Sequence, residues 1–354
     1  MIDYLIVGLG LAGISFCEQL EKNNKTFRVI ADSSQTSSVV AGGLYNPVIL
    51  KRFTLAWQAE EQMKTASAFY AHLERKLGVK LNYELPVYRR FHSVEEQNLW
   101  FEASDKKGLD RFLNTSVHAN TNVHVDAPFG YGEVRHTGRI DTEKLVSSYK
   151  KYLQEKDLVI EETFDYNRLQ YTDDRVEYDA LSARKIVFAE GFGLKENPFF
   201  NYLPLQGSKG EYVFIEAHVL KEDKAIKSSV FIIPQGNNIY RVGANYERHD
   251  KTNLPTESAR EGLLAKLRTV LKCDFKVVDQ VAGVRPTVVD RKPLVGRHPK
   301  FKSLHILNGF GSRGVLIGPS AAKQLYMFAE DGQELDSELD IARFTQKYFQ
   351  QSFS

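Results

Sequence analysis

Apolar residues follow two periods along this chain. A short apolar run at residues 4–7 and mainly apolar stretches at 27–31 and 304–307 have the character of buried parallel strands. Ala66, Phe69, Tyr70, Leu73 and Leu77 recur at helical spacing and predict a long helix over 55–78 with one packing stripe. The stretch "GRIDTEKLVSSYKKYLQ" predicts a second helix, with Asp141 as its N-cap. Aromatic, strand-like pieces surround 83–92 and 121–135. "LVIEE" and "RKIVFAEGFG" read as further strands, the second ending in a turn at Ala189, Glu190 and Gly191. Residues 205–248 alternate as several strands, and 256–272 read as a helix. Residues 33–53 are rich in serine and glycine and predict a loop running over a bound group.

The polar interruptions carry the chemistry. Gly8, Gly10 and Gly13 follow the first apolar run in the spacing G-x-G-x-x-G, and a helix follows them. Gly8 permits the tight turn, Gly10 lets backbone approach a phosphate, and Gly13 lets the helix pack on the sheet. The helix N-terminus offers free N–H groups and a positive dipole end to a pyrophosphate. Asp32 ends the second strand about twenty residues on, in reach of a ribose hydroxyl, and its charge disfavours a 2′-phosphate. A second strand–glycine–helix unit lies at "LHILNGFGSRGVLIGP", with Gly309, Gly311 and Gly314 in the turn and Val315 opening the helix. NAD does not need this second unit. A flavin can use it, because a helix N-terminus can face the ring edge where negative charge develops on reduction. The cofactor expected is therefore FAD.

The chain has 354 residues, a net charge of +2 and 42% hydrophobic residues. That charge gives no strong polyanion signal, so a dedicated nucleic-acid binder is not indicated. Its two cysteines, Cys17 and Cys273, build neither a metal site nor a disulfide framework and fit a reducing cytosol. Cys17 is expected to be buried against the sheet. The histidines show no ligand spacing; His92, His118, His124, His136 and His305 read as surface or packing residues. No segment has the length and apolarity of a membrane span. There is no repeat or low-complexity linker. The order of elements predicts an α/β plus β-rich architecture: a Rossmann-like dinucleotide-binding domain (1–80, 141–203 and 288–354) interrupted by a mixed-sheet substrate domain (81–140 and 204–287).

The sequence resembles the FAD-dependent oxidoreductases of the D-amino acid oxidase superfamily, which includes glycine and sarcosine oxidases. The resemblance spans nearly the whole chain. It rests on "YLIVGLGLAG", "GRIDTEKLV", "KIVFAEGFG", "FIIPQGNNIYRVGANYE", "GVRPTVVDRKPLVG" and "GFGSRGVLIGP". "GGLYNP" and "GSRG" are most similar to the FAD-dependent C-terminal domain of the bifunctional enzymes that make 5-methylaminomethyl-2-thiouridine in tRNA, although no methyltransferase domain is present in this chain. The family's usual ribose glutamate is replaced by Asp32, which can do the same job on a shorter arm. No Cys or His stands where a covalent flavin link is recognisable, so non-covalent FAD is expected. Together these readings set the cofactor against Gly8, Gly10, Leu11, Ala12, Gly13, Asp32 and Ser33. They add Gly42, Gly43 and Leu44, Ala189 and Gly191, and the turn Gly309, Gly311, Ser312, Arg313, Gly314 and Val315.

The resemblance implies oxidation of an amine carbon beside a carboxylate, with the flavin as hydride acceptor. Arg285 in "GVRP" matches the family's carboxylate-binding arginine, and Pro286 makes its backbone extended. An ion pair with Asp290 is the structural alternative. Phe231 stands where the small-amino-acid oxidases have an active-site tyrosine, which puts glycine itself in doubt as substrate. Tyr45 and Arg52 are candidates to replace the lost donor, or else anchor a surface loop. Arg313 is placed near the flavin, either stabilising its reduced form or touching substrate. The expected function is oxidation of the C–N bond of an amino acid or N-substituted glycine by a cytoplasmic enzyme acting on a small amine.

Two alternatives stand beside this. One is a tRNA-modifying oxidase that removes a carboxymethyl group from a wobble uridine side chain, with Lys51, Arg52, Arg89 and Arg90 as a basic rim. The other is a non-catalytic flavin-binding scaffold.

Overall fold

The first apolar run, Ile2–Val7, lies between two parallel neighbours, Phe27–Ile30 and Leu181–Phe188. The computed structural model describes residues 1–345. In it this sheet extends outward from Phe27–Ile30 to Val159–Ile160, and from Leu181–Phe188 to Leu304–Asn308, all parallel. Antiparallel strands Val176–Tyr178, Leu169–Tyr171 and Leu294–Arg297 complete it.

Successive side chains on a strand point to opposite faces, and the first strand uses both. Tyr4 and Ile6 pack with Phe16, Leu73, Tyr149 and Leu325 under the helices Leu11–Lys22, Ala59–Leu77, Thr142–Glu155 and Gly314–Asp331. Leu5 and Val7 pack with Phe164, Phe188 and Phe200 on the other face. Burial on both faces explains why the run is continuously apolar rather than alternating. Cys17 is fully buried in the first of these helices, and burial pushes its thiol pKa up. Both cysteines are free.

The second large sheet takes its strands from residues 87–134 and 208–285. Its order is Lys276–Arg285, Ser208–Glu216, Ile239–Gly243, Phe231–Gly236, Ala225–Lys227, Val87–Arg90, Tyr131–Val134, Leu113–His118. One face packs Val213, Ile215, Ile232 and Val242 against Leu263 and Leu267 of the helix Glu257–Arg268, which Thr256 caps.

The predicted elements differ from the observed ones in places. The long helix begins at Ala59, not near 55, because Thr54–Leu55 pairs with Val48–Ile49. Its stripe holds: Ala66, Tyr70 and Leu73 are buried, and Tyr70 Oη donates to the Val315 carbonyl at 2.8 Å. Asp141 caps Thr142–Glu155, its side chain accepting from Lys144 N at 3.2 Å. The helix Val94–Ser104 was not expected, although Ser93, which caps it, stands three residues before Glu96 in the spacing of a capping box. Its apolar residues do not fall on one face: Val94 and Leu99 are exposed while Trp100 is buried against Phe53 and Phe91. Of the strand-like stretch 121–135 only Tyr131–Val134 is strand, and its neighbour Leu113–His118 was not expected. Within the predicted loop 33–53, Leu44–Tyr45 pairs with Gly138–Ile140. Among the described residues no helix is long and apolar enough to cross a membrane.

Candidate active site

A cavity of about 1170 Å³ opens at the C-terminal edge of the parallel sheet, with the second sheet as its far wall. It exceeds the roughly 300–1,000 Å³ of a drug-sized ligand pocket. In open α/β sheets this edge is where nucleotides bind.

The first glycine turn forms one end. Gly8, Gly10, Leu11 and Ala12 line the cavity. The helix has no side-chain cap, and its own hydrogen bonds begin with Ile14 N to Gly10 O. Leu11 N donates to Ser38 Oγ at 3.1 Å, and the Ala12 and Gly13 N–H groups have no acceptor among the described residues. A Cβ at Gly10 would stand 2.8 Å from Ser38 Oγ, so a side chain there has to displace the hydroxyl that caps Leu11 N. Gly13 is not on the wall. A Cβ there would overlap the Gly8 carbonyl, so this glycine seats the helix on the turn.

Asp32 and Ser33 line the cavity beyond the second strand. Asp32 accepts from Ser34 N at 3.0 Å, Ser34 Oγ at 2.7 Å and Thr163 Oγ1 at 2.7 Å. Burial opposes its ionisation, but these hydrogen bonds outweigh it and hold the carboxyl below its ordinary value. Ala189 and Gly191 are also on the wall, with Glu190 between them. Glu190 accepts from Tyr166 Oη at 2.5 Å and Asn197 Nδ2 at 2.9 Å; burial nonetheless raises its pKa to about 7.

The second glycine turn lies further along the same cavity. Gly311, Ser312, Arg313, Gly314 and Val315 line it. The helix Gly314–Asp331 also lacks a side-chain cap. Leu316 N and Ile317 N both bond to Arg313 O, which leaves the Gly314 and Val315 N–H groups without acceptors among the described residues. Gly309 is off the wall, with φ +79° in a turn where a Cβ would stand 2.7 Å from Val288 Cγ2. Gly42, Gly43 and Leu44 line the cavity opposite, and Arg313 Nη2 donates to Asn46 O at 2.6 Å. The "GGLYNP" and "GSRG" motifs are thus in direct contact. Burial lowers the Arg313 pKa to about 10.

Arg285 and Phe231 come from the wall of the second sheet. Arg285 has no carboxylate partner among the described residues. Its guanidinium sits 4.6 Å from the Tyr246 ring centroid and donates weakly to Asn245 O at 3.4 Å. Asp290 pairs instead with Arg343 Nε at 2.9 Å, so the structural alternative for Arg285 falls. Tyr45 and Arg52 are not on the cavity wall. Tyr45 donates to Asn82 Oδ1 at 2.9 Å within the small sheet, and Arg52 is exposed to solvent in the turn after Val48–Ile49. Among the wall residues that sequence reasoning missed are Lys227, Gly210, Tyr212 and Tyr246. Only the last lay within a motif already noted, "GANYE".

Two amide-lined helix ends along one cavity, with an unpaired guanidinium across from them, describe a dinucleotide-dependent oxidoreductase site. The comparisons with known proteins agree. The DAO family model, "FAD dependent oxidoreductase", matches residues 3–326, and the chain belongs to that family. It is therefore an FAD-dependent oxidoreductase. The chain is similar to glycine oxidase of Bacillus subtilis (strain 168), 23% identical over 345 residues that cover 90% of each protein. It is also similar to the tRNA 5-methylaminomethyl-2-thiouridine biosynthesis bifunctional protein MnmC of Aromatoleum aromaticum. That match is 25% identical over 181 residues, 45% of this chain and 28% of that protein. Among solved structures, glycine oxidase from Geobacillus kaustophilus superposes with a TM-score of 0.77 at 18% identity, covering 97% of each chain.

Proposed function

We propose that this protein oxidises the C–N bond of an amino acid or N-substituted glycine. One observation carries the reading: Arg285 is a cavity-facing guanidinium with no carboxylate partner among the described residues. Its planar fork can take a substrate carboxylate by two parallel hydrogen bonds and so fix the adjacent carbon in one orientation. Proximity and orientation of this kind supply much of a bimolecular barrier. The similarity to glycine oxidases supports the same substrate class.

FAD, when bound, would supply the hydride acceptor for that carbon. The residues that would hold it are Gly8 to Ala12 for the pyrophosphate, Asp32 for a ribose hydroxyl, and Gly311 to Val315 beside the isoalloxazine. The two runs of unpaired N–H groups suit these negative ends. Tyr212 and Phe231 form the apolar wall that excludes water from the reacting carbon. Tyr212 Oη has no hydrogen-bond partner among the described residues, and it supplies the wall hydroxyl that Phe231 lacks. The tRNA-modifying alternative is less well supported. Arg89 is bound to Glu96 and Arg90 to Asp126, which removes two of its four candidate rim cations.

The test is anaerobic bleaching of the yellow holoprotein by a panel of glycine-type, N-methyl and D-amino acids, matched uncharged amines, and modified tRNA. Reduction by amines that carry a carboxylate is expected. Reduction only by uncharged amines, or by none of the panel, overturns the proposal.

A further inference from the structure

The wall formed by the second sheet carries cations and no acid. Its cavity-lining residues include Lys227 and Arg285, whereas every lining Asp and Glu comes from the side of the parallel sheet. Lys227 has no ion-pair or hydrogen-bond partner among the described residues. Its Nζ lies 4.9 Å from the Phe231 ring centroid. Lys224, just before the same short strand, is held by Asp223 and Glu222. Lys227 is half-buried and has been left free on a cavity wall. Burial, with Arg89 and Lys266 nearby, lowers its pKa to about 8. It is still mostly charged at neutral pH, and an arriving anion relieves that strain.

The sheet register gives the spacing of the two free cations. Lys227 stands opposite Phe231, Phe231 opposite Gly243, and Gly243 opposite Tyr212, on successive strands. Arg285 stands on the next strand over, opposite Ser208. Their backbones are therefore four strands apart. The Arg285 guanidinium leans one strand inward, over Gly210. The Lys227 ammonium leans one strand inward the other way, over Phe231. Two strand spacings remain across the sheet, and Gly210 lies two residues along its strand from Tyr212, so the charges are about 12 Å apart.

We propose that Lys227 is a second anion subsite, and that the preferred substrate is an amino acid or N-substituted glycine whose far end bears another carboxylate. Arg285 holds the carboxylate beside the reacting carbon, Phe231 and Tyr212 line the spacer, and Lys227 takes the distal carboxylate. This deepens the amine-oxidation reading and rests on it for the chemistry, but the subsite is a matter of binding and can be measured without turnover.

The experiment titrates FAD-loaded protein with linear dicarboxylates, succinate through sebacate, and with their mono-amides, following the flavin spectrum and the heat of binding. The expected result is tighter binding of the diacid, by about 10- to 100-fold, the usual worth of one charged hydrogen bond. The preference should peak for the longer diacids, whose carboxylates can stand about 12 Å apart. Lys227→Met should bring the diacid down to its mono-amide, and Lys227→Arg should restore the preference. Equal binding of diacid and mono-amide by the wild type, or a preference that survives in Lys227→Met with FAD still bound, overturns the proposal. Diacid preference without reduction by any amine leaves the subsite standing and sinks the amine-oxidation reading. Reduction by amines with no distal-acid preference does the reverse.

Discussion

Arg285 lies across Gly210: the guanidinium fills the space where a Cβ on Gly210 would go, one strand away. The clash is with the end of a flexible side chain. Gly210→Ala should therefore leave the fold and FAD content intact while displacing the fork. Misplacing a positioning group by about 1 Å costs on the order of 100-fold. Stopped-flow flavin reduction should show a loss of about 10- to 100-fold for carboxylate-bearing amines and little for uncharged ones. Equal losses for both would separate Arg285 from the substrate.

Removing the fork itself should be more severe. Truncating one partner of a desolvated charge pair costs about 2–5 kcal/mol, which is roughly 30-fold to several thousand-fold in kcat/KM. Arg285→Ala should show this with FAD retained, and Arg285→Lys should recover only part, because an ammonium cannot make two parallel hydrogen bonds. A variant that unfolds at lower temperature and reacts equally poorly with charged and uncharged amines would instead mark Arg285 as structural.

Gly10→Val should abolish FAD binding, since a side chain there enters the space in front of the Ala12 and Gly13 amides. The double variant with Ser38→Ala removes the clash with Ser38 Oγ. It should remain colourless, because the excluded group is the pyrophosphate. Recovery of FAD in the double variant would show that the Ser38 contact was the whole effect.

Purified protein should be yellow, and acid precipitation should release FAD into the supernatant. Chromatography of the supernatant checks this. Colour that stays with the pellet would show a covalent link, and release of FMN would show that the adenine-side cradle is unused.

Glu190 should give stability a distinct pH dependence. Its pKa is raised by burial from 4.5 to about 7 in the folded protein. Between those values the unfolded chain loses the proton while the folded one keeps it, so the contribution to stability falls as pH rises. The fall begins near pH 4.5 and is complete above about pH 7, for a total of order 3 kcal/mol. Glu190→Gln can accept from Asn197 and donate to the Tyr166 hydroxyl, whose proton is free to rotate. Chemical denaturation of the FAD-free forms should show the variant gaining on wild type between pH 5 and pH 8. A constant difference across that range would mean that Glu190 does not titrate there.

The cofactor half of the site was legible in the sequence because its parts are local. A glycine turn, the strand before it and the helix after it sit within a few residues of each other, and backbone sterics alone decide what Gly10 and Gly13 can do. The same holds for Asp32 at the end of its strand and for the turn from Gly309 to Val315. Asp141 as a cap is equally local. The tertiary structure decided what depends on distant strands. It placed Tyr45 in a small sheet and Arg52 in solvent, although both lie near the cavity in sequence. It gave Asp290 to Arg343, more than fifty residues away, and so left Arg285 unpaired. It set Gly210 beneath Arg285 through strand register, a long-range pairing that no local pattern encodes, and brought the Lys227–Phe231 hairpin into the same sheet. A glycine inside one strand and a lysine at the end of another are unremarkable in a sequence. They become part of a binding wall only when five strands line up and turn the same face toward the cavity.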